Sequence, residues 1–299
     1  MGRVVGWMLA QPLRLKPAVA ALVALVMPMA NAGQHVWIGA TGSWSDATKW
    51  VGGLPNDPIA DVFIDLAPLS NAKVSLNQSA TIRSLTLNAG DELLQGTSGA
   101  LYLAGVDLRI DGLWQMGGSV HVLGDSGLSG SGVTRLAGTI YGRESQPWLT
   151  VATGHVMEVA GGSLGHQTWQ LNLRNEGSIS VLEGAELYHR GGQLDNRTGW
   201  IDLARNSALR LNGASLQGGL MLGGVGAQIT GTDAFDVVSA RIQGDAWVDR
   251  LRWTDIVWDG KSQLRHSVLA GSHSITADSE IQLTAARITG ATWLNGAGL

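Results

Sequence analysis

From about residue 67 to the end, apolar and polar residues alternate in runs of three to five, each bounded by Gly, Asn, Asp or Ser. Such runs include Val74 and Leu76; Ile82, Leu85 and Leu87; Leu101 and Leu103; Leu171 and Leu173; and Ile281 and Leu283. A period of two places the aliphatic side chains on one face of a short strand. The bounding residues supply turns, because Gly and Asn tolerate positive φ. No apolar run with a 3.6-residue period survives the glycine content, so no helix is expected in this zone.

The strands also repeat. Laid over itself at an offset of 22 residues, the chain places Gly177 on Gly199, Ile179 on Ile201, Val181 on Leu203 and Leu187 on Leu209. A degenerate repeat of this length, with about three short strands in it, predicts an all-β fold: a right-handed, single-stranded parallel β-helix, or solenoid. Residues 67–299 have room for about ten coils, a rod of roughly 50 Å. Gly-Gly pairs beginning at Gly117, Gly161, Gly191, Gly218 and Gly223 share the rhythm, and their uneven spacing is read as drift from loops of variable length. The 44-residue step from Gly117 to Gly161 keeps a β-propeller as an alternative, whereas a β-sandwich would not self-align.

The N-terminus reads as an export leader, residues 1–32: Arg3, Arg14 and Lys16 precede an apolar stretch from Ala18 to Met27, and Ala30-Asn31-Ala32 forms a small-x-small cleavage site. An uncleaved anchor is the alternative. A Trp-rich zone at 33–66 and the repeats at 67–299 complete the division. Loss of the three leader cations takes the formal charge from −4 to −7, which argues against nucleic acid or anionic membrane as a partner. The chain has no cysteine, so no disulfide stabilises it. Its 42 glycines, 2 phenylalanines and 12 tryptophans suit a narrow core with many tight turns. No segment after the leader is long and apolar enough for a membrane helix. The sequons at Asn77 and Asn196 are read as chance occurrences.

The string from Val36 to Asp65 sets Trp37, Trp44 and Trp50 ahead of Gly53, Pro55, Asp61 and Val62. This arrangement resembles the Trp-rich opening of bacterial autotransporter-like and adhesin-like β-helical surface proteins. The resemblance implies a passenger-like protein at the outer-membrane surface of a Gram-negative-type bacterium, or released from it. Departures accompany it: there is no Asn-Pro-Asn motif after the leader, no membrane barrel and no C-terminal sorting signal. The expectation is that the anchor domain is missing or the chain is a fragment. Physically, a solenoid exposes apolar core and strand edge at each end. Trp37, Trp44 and Trp50 are therefore expected to form a structural cap, with a sugar-stacking platform as the rival role.

Candidate chemistry is densest between Asp245 and Asp259. Trp247, Asp249, Trp253, Asp255, Trp258 and Asp259 are the candidate ligand-contact residues, with the three tryptophans forming an aromatic patch on one flank. The Trp247-Val248-Asp249 step resembles the Trp-Ile-Asp-His string of pectate lyases, but Arg250 stands where the histidine belongs. Alternating solvent-facing charge, with Val248, Leu251, Ile256 and Val257 turned inward, explains the same residues without chemistry. The seven histidines show no zinc spacing. Gly223-Gly-Val-Gly-Ala-Gln lacks the aspartate of a calcium-binding nonapeptide.

The leading expectation is a non-catalytic, secreted or surface-displayed adhesin-like protein without a cofactor or metal. Its partners would be host or neighbouring-cell surface glycans or proteins. The alternative is a carbohydrate-binding or polysaccharide-degrading β-helix, which requires Asp249, Asp255 and Asp259 to converge in one groove. A third reading is a truncated gene product. Ile281, Leu283, Ile288 and Trp293 continue the strand pattern to the end of the chain, which predicts end-to-end self-association. The apparent mass in light scattering should rise with concentration; a strict monomer throughout would require a covered end.

Overall fold

A computed structural model describes residues 33–64, 71–105, 107–143, 146–161, 167–232, 236–276 and 278–295. The leader lies outside the described residues, as does most of the Gly-Gly-Ser-Leu string that begins at Gly161. The rest is a parallel β-solenoid with three strands per coil, and no α-helix occurs among the described residues. The first face begins Gln34–Trp37, Asp61–Ile64, Ser84–Leu87, Asp107–Ile110. The second begins Thr41–Ser43, Lys73–Leu76, Glu92–Gln95, Leu113–Met116. The third begins Ser79–Ile82, Ala100–Leu103, Ser119–Val122, Thr139–Gly142. Each strand pairs in parallel with its counterpart one coil on.

The alternating pattern explains the packing. In most strands the second and fourth residues are buried and the others face outward. In-register pairing stacks like on like: Val74, Leu93 and Trp114, then Met157, Ile179, Ile201, Met221, Ile242 and Trp258, share one inward column on the second face. Each is buried, worth about 1.5–3 kcal/mol per large aliphatic side chain. The 22-residue self-match is this stacking, since Ile179 pairs with Ile201, Val181 with Leu203 and Leu187 with Leu209.

The Gly-Gly pairs need a different explanation from drifting loops. Gly117-Gly118 turns from the second face to the third, Gly191-Gly192 from the third to the first, and Gly218-Gly219 from the first to the second. They mark different corners, so no constant interval is required of them. The coil itself shortens in the C-terminal part of the rod, then returns to 19 residues in the last step, Leu264 to Leu283. Ile179 to Ile201 is a step of 22, whereas Val237 to Trp253, Trp253 to Leu269 and Val248 to Leu264 are steps of 16. Short corners built on single left-handed residues make this contraction: Arg250 and Asp255 have φ of 57° and His266 of 47°.

The Trp-rich segment supplies the first coil. Gln34–Trp37 lies parallel to Asp61–Ile64, and on its other edge pairs antiparallel with Trp50–Val51, ending the parallel ladder. Trp37 and Trp44 are fully buried and Trp50 nearly so. Trp50 packs edge-on against both, with centroids 5.0 Å apart in each case. The Trp50 indole donates to the Trp44 carbonyl at 2.8 Å, and Trp44 donates to the Pro55 carbonyl at 3.1 Å. Gly52 has φ of 93°, and a Cβ there would lie 2.1 Å from the Gln34 carbonyl oxygen. The three indoles are thus buried together in the first coil, and their faces are not offered to solvent.

Polar groups inside the coil are mostly wired from one coil to the next. Asn175 donates to the Asn196 side chain at 2.7 Å and to the Trp200 carbonyl at 2.9 Å. Asn196 is fully buried, so its sequon is inaccessible in the folded chain. His189 lies in the third-face column between Trp169 and Leu211, and its Nε2 donates to the Leu171 carbonyl at 2.9 Å. Burial pushes its pKa down to about 4, while the carbonyl offsets this in part.

Two predictions follow from this packing. At Gly244, φ is 91° and a Cβ would lie 2.3 Å from the Gly223 carbonyl oxygen, whereas Gly184 has φ of 69° with open space around it. Gly184→Ala should cost only left-handed strain, about 1 kcal/mol, and Gly244→Ala about 2 kcal/mol or more, read from urea midpoints. His189 must be neutral to fold, so its contribution is complete above the unfolded pKa of 6.5 and declines as pH falls towards 4. The loss is about 3 kcal/mol at 1.4 kcal/mol per pH unit. His189→Gln should flatten urea stability over that pH range; an unchanged slope would assign the acid sensitivity elsewhere.

Candidate ligand-contact surface

The strand Arg241–Asp249 passes through the corner between the second and third faces, and the next coil follows within a few residues. Strand alternation then decides where each sequence candidate points. Trp253 on the first face and Trp258 on the second are both fully buried, with centroids 5.4 Å apart. The expected three-tryptophan surface patch is therefore not formed, because two of its members are core residues facing each other across the narrow coil. Val248, Leu251 and Ile256 do turn inward, but Val257 is only partly buried, since its neighbour Trp258 takes the inward position.

The three carboxylates occupy three successive corners. Asp249 ends its strand on the third face, Asp255 turns the chain from the first face to the second, and Asp259 ends the second-face strand Val257–Asp259. Asp249 contacts His266 at 3.1 Å and Arg250 at 3.6 Å. Asp255 accepts the Ser272 amide at 2.7 Å. Asp259 is held by Arg241, with which it forms an ion pair, and by the Thr276 hydroxyl at 2.9 Å; these hydrogen bonds keep its carboxyl below the usual range. They do not converge in one groove, so the paired-carboxylate arrangement for glycoside cleavage is not assembled from them.

Trp247 is placed differently. It points outward from the third face and is 40% exposed. Its register partners are Gln228 on one side and Gln263, then Gln282, on the other. The Arg265 guanidinium lies 5.3 Å from the indole centroid. A groove of about 290 Å³ runs beside the ring, lined by Asp245, Lys261, Gln263, Glu280 and Gln282. An apolar ring face beside amides, acids and an amine offers stacking together with donors and acceptors, the combination a polyhydroxylated ring requires.

The same face carries aromatics further up the rod. Tyr102, His121 and Tyr141 are consecutive register partners whose rings stack, with centroids 4.5 and 5.2 Å apart and interplanar angles of 10° and 23°. Tyr188 sits between the guanidinium groups of Arg210 and Arg190, at 5.6 and 5.9 Å. All three tyrosines of the chain therefore lie on the third face. Sequence reasoning missed this strip. Period-2 phase marks each of these residues as outward, but only the coil register shows that they share a face. Trp200, 49% exposed, belongs to the second face, and Trp148, stacked with Arg174, to the first.

No protein-family model matches the sequence, and no curated protein does. Among solved structures, a TibA fragment hyper-glycosylated by TibC catalysis aligns over 75% of this chain and 97% of its own, at 13% identity and a TM-score of 0.32. Similarity that low carries no functional argument. Among the described residues, no helix is long and apolar enough to cross a membrane, and no three His, Cys, Asp or Glu side chains are grouped to hold a metal ion.

Proposed function

We propose that this chain is an exported, adhesin-like passenger that acts without catalysis, binding surface glycans of a host or neighbouring cell along the third face of a rigid rod. The observation that carries the reading is that Tyr102, His121, Tyr141, Tyr188 and Trp247 all point outward from the third face, in three neighbouring columns, with a polar groove beside Trp247. The core is filled with aliphatic and tryptophan side chains, so recognition falls to the exterior. Shallow stacking sites spaced along a rod bind weakly one at a time and gain strength through multivalency. The basic and apolar leader and the absence of cysteine support passage out of the cell, and the Trp-rich opening supports a bacterial surface protein of the autotransporter-like kind.

The test uses full-length chain expressed with its leader, recovered after export and fluorescently labelled, on intact cells with and without periodate oxidation of their glycans. Wild-type protein should bind and lose binding after periodate. Trp247→Ala should reduce retention at least fivefold, about 1 kcal/mol or more for a lost stacking contact. Tyr102→Ala with Tyr141→Ala should reduce it further, with unchanged far-ultraviolet circular dichroism. Binding that survives periodate, or is indifferent to all three substitutions, would overturn the assignment.

A further inference from the structure

The first face of the last coils presents a second groove, separated from Trp247 by one corner of the rod. We infer that it is an anion subsite, taking the single carboxylate or sulfate of an acidic sugar. It rests on the glycan-binding reading and narrows it to charged glycans.

Register builds the site. Asp236, Arg252, Val268 and Arg287 are successive outward partners on the first face. Arg252 and Arg287 are thus two coils apart, roughly 10 Å at strand spacing, with Val268 between them. Thr289 follows Arg287 by two residues on the same side of its strand. The short corners add to this column. Arg250 and His266 stack at the turn from the third face to the first, both in the left-handed region, their amides donating to the Arg265 and Thr284 carbonyls. The result is a groove of about 460 Å³ lined by Arg250, Arg252, His266, Val268, Arg287 and Thr289.

Charge favours one oxyanion. The acids in contact with its lining residues are Asp236, 3.6 Å from Arg252, and Asp249, 3.6 Å from Arg250 and 3.1 Å from His266. Three guanidinium groups against two carboxylates leave a surplus cation. The two Arg–Asp contacts are longer than hydrogen bonds, and the Arg250 and Arg252 side chains remain 58% and 54% exposed. Among the described residues, no guanidinium donor of Arg250, Arg252 or Arg287 is used in a hydrogen bond, so planar donor forks are available from both flanks. Val268 supplies an apolar floor for a ring, and Thr289 a hydroxyl at its edge. The net charge, −4 for the whole chain and −7 without the leader, repels a polyanion, so an isolated acidic group on an otherwise neutral glycan fits better than a nucleic acid or a uniformly charged polymer.

The experiment is binding of the full-length exported chain to an array of matched oligosaccharides, each neutral, carboxylated or sulfated at one residue. Acidic members should retain at least fivefold more protein than their neutral counterparts, with the excess falling as salt rises. The double variant Arg252→Gln and Arg287→Gln should abolish that excess while neutral binding persists, and Arg252→Lys with Arg287→Lys should recover part of it. Carboxylated and sulfated arms distinguish the two oxyanions. Equal retention of neutral and acidic members, or an acid preference that survives the double glutamine variant, overturns the subsite and leaves the aromatic face standing. Absence of binding to every member overturns both readings.

Discussion

Everything in this rod depends on one coil lying directly on the next, backbone to backbone, at the spacing of parallel strands. Hydrogen bonding between coils fixes the register, and register then dictates which side chains stack. An inward column must be apolar along its length, or must satisfy its polar groups in the neighbouring coil, as Asn175 and Asn196 largely do. Corners are held to the same spacing with less room. Between the second and third faces, Gly223, Gly244 and Gly260 succeed one another, and a Cβ on either of the last two would meet the carbonyl oxygen of the glycine before it at 2.3 Å. The glycine content is therefore a requirement of close stacking at particular turns.

The same constraint separates structure from function. Inward positions answer to the coil above and below and have little freedom. Outward positions answer only to their lateral neighbours and to solvent. Stacking turns any outward preference into a continuous strip, because a residue type placed at one register position lies about 4.8 Å from its counterpart in the next coil. The Tyr102, His121 and Tyr141 rings follow from this geometry, and so does the Arg210 guanidinium beside Tyr188. A solenoid needs no enclosed cavity to present an extended recognition surface.

The fold was largely legible from the chain because its two periods are written in different residues. Alternation gave the strands, and the match of Ile179 with Ile201 and Leu187 with Leu209 gave a true coil step. The three closely spaced tryptophans at the start of the repeats were expected to be buried together, and Trp37, Trp44 and Trp50 pack against one another in the first coil. The candidate surface was much less so. Near Trp253 and Trp258 the coil contracts to 16 residues, and the turns shrink to single left-handed residues such as Asp255. That shift of strand phase turns Trp258 inward in place of Val257, and local sequence does not announce a left-handed aspartate. Tyr102, Tyr141 and Tyr188 were overlooked for the complementary reason: they are far apart in sequence, and only the coil register brings them to one face.

The contraction of the coils around Trp253 and Trp258 links these observations. A short corner removes the residues that would otherwise hold neighbouring faces apart, so side chains at a turn reach both. Arg250 and His266 contact Asp249 at the end of the third face while lining the groove on the first. The charged residues between Asp245 and Asp259, which in sequence resembled a catalytic cluster, are distributed by this geometry into corner contacts and two shallow grooves. Trp247 keeps its outward position because it alternates with the inward Ala246 and Val248 on its strand. The shortest coils of the rod are thus also where its surface chemistry is most concentrated.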